Sequence, residues 1–202
     1  MKTRSPLASR KAFTLVELMV TISIIVLLAL ILVPVLAGSM DKAKMTRSLA
    51  QGKGIYQCLF GEQTVDNMKN PYPSSLDYKN STDFFRWTVT NQTIDVTYEY
   101  FAAGKIAPYT GNRAEEFKEE NNAWCIVADL GLGSRNNTPL LFTRNLTIET
   151  LADIPYASYM TNTVYEDRVL MINLGGSGAL LKREQLDDQF NPWEGKNEVL
   201  RP

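Results

Sequence analysis

Phe13 to Gly38 reads FTLVELMVTISIIVLLALILVPVLAG and holds a single ionisable side chain, Glu17. A helix rises about 1.5 Å per residue and a bilayer's hydrocarbon is about 30 Å thick, so about 20 apolar residues span it. Leu15 to Leu36 meets that length. Lys2, Arg4, Arg10 and Lys11 precede the run with no acid among them. The positive-inside tendency keeps these four cytoplasmic and sends everything beyond Gly38 across the membrane.

Three readings compete for such a segment: a cleaved secretory signal, an ordinary single-span anchor, or a span that also packs against copies of itself. A secretory signal has a shorter apolar core of about 7–15 residues before a small-residue cleavage site, which disfavours complete removal. Against a plain anchor stands Glu17, because a lone carboxylate near the edge of the span costs on the order of a few kcal/mol unless it is neutralised or paired. It either snorkels to the headgroups or finds a cationic partner.

The stretch Arg10-Lys11-Ala12-Phe13-Thr14-Leu15-Val16-Glu17-Leu18 resembles the processing motif of type IV prepilins and type II secretion pseudopilins. The resemblance implies cutting by prepilin peptidase between Ala12 and Phe13, with Phe13 becoming a methylated N-terminus. It also implies that Glu17 sets the axial register between subunits, and that Pro34 is the family's helix proline. The family mostly has Gly where Ala12 stands. Independently of the resemblance, a cut before Phe13 creates an amino group close to the Glu17 carboxylate, so a charge pair in lipid becomes available within or between subunits. Pro34 lacks an amide donor and crowds the preceding turn, which predicts a kink or local loosening near the outer end of the span.

After Gly38 the sequence turns polar but keeps helical spacing at Met45, Leu49, Gly52, Tyr56 and Leu59. This predicts an amphipathic continuation, and so one helix from about Phe13 to about Phe60. Gly52 and Gly54 each weaken it by about 1 kcal/mol relative to Ala, so a frayed or bent end is expected. Pro71 and Pro73 end any helix and open a loop. Tyr72 to Leu76 also resembles the connection after the long helix in many pseudopilins. Beyond it, Thr93–Phe101, Trp124–Leu130, Pro139–Thr143, Arg168–Leu174 and Ala179–Lys182 read as strands, the last two around a glycine-rich turn. Ala114–Asn121 reads as a short acidic helix.

The expected fold is α+β: a long N-terminal helix, transmembrane in its first half and amphipathic in its second, packed on a small, mainly antiparallel sheet domain, which the resemblance makes pilin-like. The expected organisation is a leader over residues 1–12, the helix over 13–62 with its membrane part at about 13–38, and a globular domain over 63–202.

The chain contains no histidine, which removes the commonest general base and nitrogen ligand for metals. Beyond the basic leader, 17 basic and 22 acidic side chains leave a net charge of −5, and no basic face points to nucleic acid. Leu174 to Ala179, LGGSGA, lacks the ending of a phosphate loop and reads as a hairpin turn, and Gly131 to Ser134 reads as a loop. Glu184, Asp187 and Asp188 are candidate calcium ligands, since the resemblance includes pseudopilins that bind calcium in C-terminal loops; a solvated acidic turn is the alternative. Cys58 and Cys125, in an oxidising compartment, allow a disulfide between helix and sheet or two separate thiols. Asn80, Asn91, Asn136 and Asn145 begin Asn-x-Ser/Thr triplets to which no function is assigned.

The function expected is a structural subunit of a pilus-like filament, most like a type II secretion pseudopilin, with no enzymatic activity and no resident cofactor. Its partners are prepilin peptidase, other pilin or pseudopilin subunits and the bacterial inner membrane, with the globular domain in the periplasm or at the cell surface after assembly. The alternatives are a type IV pilus subunit for adhesion, motility or DNA uptake, or a membrane-tethered binding or catalytic domain that uses a pilin-like anchor.

Overall fold

The computed structural model of the chain describes residues 13–60, 72–91, 93–131, 133–153, 156–189 and 197–202, except for the side chains of 34, 35, 37 and 187–189. It divides into two units, one ending at Lys42 and the other beginning at Ala43. The first contains the apolar part of a single helix, α1 (Leu15–Phe60), which runs through residue 34 without a break in its helical assignment.

The second unit starts with the rest of α1. Its buried residues are Ser48, Gly52, Ile55, Leu59 and Phe60, with Met45, Leu49 and Tyr56 partly buried beside them. The spacing of three and four makes one stripe along the helix. The expected fraying at Gly52 and Gly54 does not occur. A Cβ built on Gly52 would lie 2.5 Å from the Trp124 ring, and one on Gly54 would lie 2.5 Å from the Tyr100 hydroxyl. Both glycines permit close approach, and their lower helix propensity is outweighed by that packing.

The sheet has the order β4-β3-β2-β1-β5, with every pair antiparallel. Its strands are β1 (Trp124–Val127), β2 (Pro139–Thr143), β3 (Arg168–Asn173), β4 (Gly178–Lys182) and β5 (Val199–Leu200). All residues of β1 and β2 are buried, the pattern of strands covered on both faces. The β3–β4 hairpin turns where the sequence predicts, with Gly176 at φ +77°. The Asn173 amide donates to the Ser177 carbonyl at 2.8 Å to close it. One edge is covered, because the Val199 amide donates to the Glu149 carbonyl at 2.8 Å on the side away from β1.

Thr93–Phe101 is not a strand; its end forms a single 3-10 turn, Tyr98–Phe101. In such a turn residues three apart share a side, so Tyr98 and Phe101 both point inward, where strict alternation would separate them. Phe101 stacks on Phe85 with centroids 4.4 Å apart, and Tyr98 stacks on Phe117 at 4.8 Å. Ala114–Asn121 likewise breaks into two 3-10 turns, Ala114–Glu116 and Glu119–Asn121, because Phe117 between them is driven into the core.

A helix not expected from the pattern, α2 (Ser81–Thr90), supplies Phe84 and Phe85 to this aromatic core. Asn80 caps it by accepting from the Asp83 amide at 2.7 Å. Its first residues are fixed to β1 by a buried polar cluster. Ser81 Oγ donates to the Trp124 carbonyl at 2.7 Å, Asn122 Nδ2 donates to Ser81 Oγ at 3.0 Å, and the Trp124 amide donates to Asn122 Oδ1 at 3.0 Å. Buried polar groups satisfied in this way fix position without the cost of an unmet donor.

Candidate functional site

Chemistry at the N-terminus of α1 begins with Thr14. Its amide and its hydroxyl both donate to Glu17 Oε2, at 2.9 and 2.8 Å, and the Glu17 amide donates back to Thr14 Oγ1 at 3.2 Å. This is a capping box: a Thr and a Glu three positions on satisfy amides that the first turn leaves open. The box orients the carboxylate and occupies one of its oxygens. Among the described residues no donor reaches Oε1, so that oxygen is available to a cation. A cut between residues 12 and 13 would leave the box intact, because both partners lie downstream of it.

From Leu15 to Val33 no side chain is buried, and the segment is long and apolar enough to cross a membrane. Its hydroxyls are satisfied within the helix: Thr21 Oγ1 donates to the Leu18 carbonyl at 2.8 Å and Ser23 Oγ to the Met19 carbonyl at 2.7 Å. Neither requires water, as a lipid-facing helix demands. Phe13, at 75% exposure, precedes the first turn.

Thr14 was missed as a site residue, although its signal is plain in the sequence: a Thr three positions before a Glu, at the start of an apolar run, is a helix-start signature. Ala12 and the rest of the leader lie outside the described residues, as does the side chain of Pro34.

The remaining candidates do not converge. Cys58 is exposed on α1 and Cys125 is buried in β1, each a free thiol in this structure. Burial pushes the Cys125 thiol up to about 12, against the smaller opposing influence of Arg201 and Arg144. Glu184 is exposed on α3 (Arg183–Gln189), while the side chains of Asp187 and Asp188 lie outside the described residues. Among the described residues no three Cys, Asp or Glu side chains gather as a metal site. Asn80 and Asn91 flank α2, and Asn145 is buried, donating to the Arg168 carbonyl at 2.6 Å.

Residues 7–33 match the family model described as the prokaryotic N-terminal methylation motif. The chain carries the signature of type IV prepilin-like proteins. The matched residues contain the whole capping box and the whole exposed span. No curated protein and no solved structure matches the chain. The signature and the apolar N-terminal helix fit a membrane-anchored protein.

Proposed function

We propose that this prepilin-like chain is a structural subunit of a pilus-like filament, most like a type II secretion pseudopilin, and acts by packing rather than by catalysis. Prepilin peptidase removes residues 1–12 from the inner-membrane precursor, and methylation follows on Phe13. The sheet domain stands in the periplasm, and subunits leave the bilayer by burying their spans against one another. The observation that carries this reading is a span with no buried side chain whose first turn holds a fixed carboxylate, Glu17, inside the methylation motif. An isolated carboxylate in lipid is expensive, so a geometry that fixes it without neutralising it favours a cation from outside the helix. The amino group of a neighbouring subunit's Phe13 has the charge and the depth to supply it.

Mass spectrometry of the purified protein tests the processing step: a mature chain starting at methylated Phe13 is expected, and an intact leader would remove the reading. Glu17→Val tests assembly. The variant is expected to insert normally and to be lost from filaments, whereas unchanged incorporation would overturn the role of Glu17.

A further inference from the structure

Far from the span, the covered edge of the sheet meets the start of α2. There β5, the Glu149–Leu151 segment paired with it and the residues before Ser81 border an open cleft of about 580 Å3. Small-ligand sites occupy about 300–1,000 Å3, so the cleft is of a useful size. Its charged side chains are Lys79, Arg201, Glu119, Glu149 and Glu198, and no aromatic ring is among its described lining residues. Lys79 and the three glutamates are exposed, and Arg201 is half-buried.

The backbone under these charges is fixed. Lys79 precedes Asn80, the N-cap of α2, and the Ser81 amide donates to the Arg201 carbonyl at 2.9 Å. The Arg201 guanidinium lies beside the buried Cys125 sulfur, and its Nε is buried without an acceptor. Glu149 and Glu198 stand on two segments joined by the Thr150–Glu198 bridge, with the Leu151 amide donating to the Asn197 carbonyl at 3.1 Å. Although they share one cleft, these charges do not neutralise one another. Among the described residues neither Lys79 nor Arg201 forms an ion pair, and neither does Glu149 or Glu198.

We infer that this cleft binds a short peptide in its zwitterionic form, with the carboxylate held by Lys79 and Arg201 and the ammonium by Glu149 and Glu198. The inference does not depend on the filament reading. A ligand of one sign satisfies one set of charges and is repelled by the other: a phosphate meets three carboxylates, and a divalent cation meets Lys79 and Arg201. A neutral sugar leaves every charge unanswered and finds no ring to stack on. A ligand of both signs gains a charge-assisted hydrogen bond at each end, and side chains carried on a fixed backbone lose less freedom in making them.

Thermal unfolding of the full chain in mild detergent, followed by tryptophan fluorescence at low salt, provides the test. Triglycine is expected to raise the midpoint saturably. Acetyl-triglycine, which lacks the ammonium, and triglycine amide, which lacks the carboxylate, are each expected to bind about tenfold more weakly. Glu149→Gln with Glu198→Gln should abolish the preference for triglycine over acetyl-triglycine, and Lys79→Gln should reduce the preference over triglycine amide. These three side chains are exposed, and a loss confined to one blocked peptide is a pattern that a folding defect cannot produce. No saturable shift with triglycine up to about 10 mM overturns the inference, as do equal shifts with all three peptides or unchanged preferences in the variants. A blocked peptide with internal charges, acetyl-Glu-Gly-Lys-amide, separates the two sources of a zwitterion. If it binds more tightly than triglycine, the cleft takes a segment of a longer polypeptide and the free-peptide inference is overturned.

Discussion

From Leu15 to Val33 no residue of α1 is buried, whereas from Ala43 to Phe60 five are. The first stretch is almost wholly apolar; the second is interrupted by lysines, arginine, glutamine and two glycines. The more hydrophobic half therefore contributes nothing to the core of its own chain, and the less hydrophobic half contributes one side of it. Composition determines which solvent a segment needs, and complementary shape determines whether it packs. An apolar run awaits lipid or another copy, while the second half is matched to a particular surface: Gly52 against the Trp124 ring, and Gly178 against Leu49 and Lys53.

The largest effect that would break this contrast is at Trp124, which is fully buried. Trp124→Ala is expected to destabilise the protein by about 3–5 kcal/mol. Leu27→Ala, at a residue 62% exposed in the span, is expected to change it by less than about 0.5 kcal/mol. Urea unfolding of the full chain in detergent, followed by tryptophan fluorescence for Leu27→Ala and by circular dichroism for both, measures the difference. Equal losses would mean that the span belongs to the folding core after all.

Next in size is the close approach itself. Gly52→Val places a branched side chain where even a Cβ would stand 2.5 Å from the indole, and is expected to cost about 1–3 kcal/mol. Combined with Trp124→Ala, part of that cost should disappear, because the clash has been removed. Gly38 has no neighbour within 4 Å of its added Cβ, so Gly38→Ala is expected to be neutral or to gain up to about 1 kcal/mol of helix propensity. The same denaturation measurement reads all three, and a Gly52→Val protein as stable as wild type would show that shape does not specify the second half.

The same difference explains what could be read before folding. The helix from Leu15 to Phe60, the β3–β4 hairpin and the cores of β1 and β2 were legible because each is written in local periodicity or in a continuous apolar run. The capping box was equally legible from Thr14 and Glu17, but the reading stopped at the carboxylate. Tyr98–Phe101 was not, because its aromatic composition suits a strand and only the positions of Phe85 and Phe117 make a tight turn the better solution. The two glycines of α1 misled for a related reason: propensity is local, and the partner that rewards a missing Cβ lies 72 residues away from Gly52, at Trp124.

The smallest effect tests whether the edge of the sheet is held by shape or by charge. Asp153 Oδ2 accepts from the Thr150 amide at 2.8 Å and the Glu149 amide at 2.9 Å, and the Glu149 carbonyl in turn receives the Val199 amide of β5. The Thr150 amide is the chief cause that holds this carboxyl below its ordinary value, opposed in part by burial and aided by the Glu149 amide and the Thr150 hydroxyl. A carboxyl with a lowered folded pKa contributes stability that is present above its unfolded value, about 3.9, and is lost as pH falls through the folded one. Because the group is largely solvated, the contribution is small, a few tenths of a kcal/mol. Asp153→Asn keeps the acceptor oxygen and removes the charge. The variant is therefore expected to be slightly less stable than wild type at pH 7, and the gap should close as the solution is acidified well below pH 4. A gap that is unchanged in acid would mean that the amide's shape, and not the carboxylate's charge, distinguishes the two proteins at this turn.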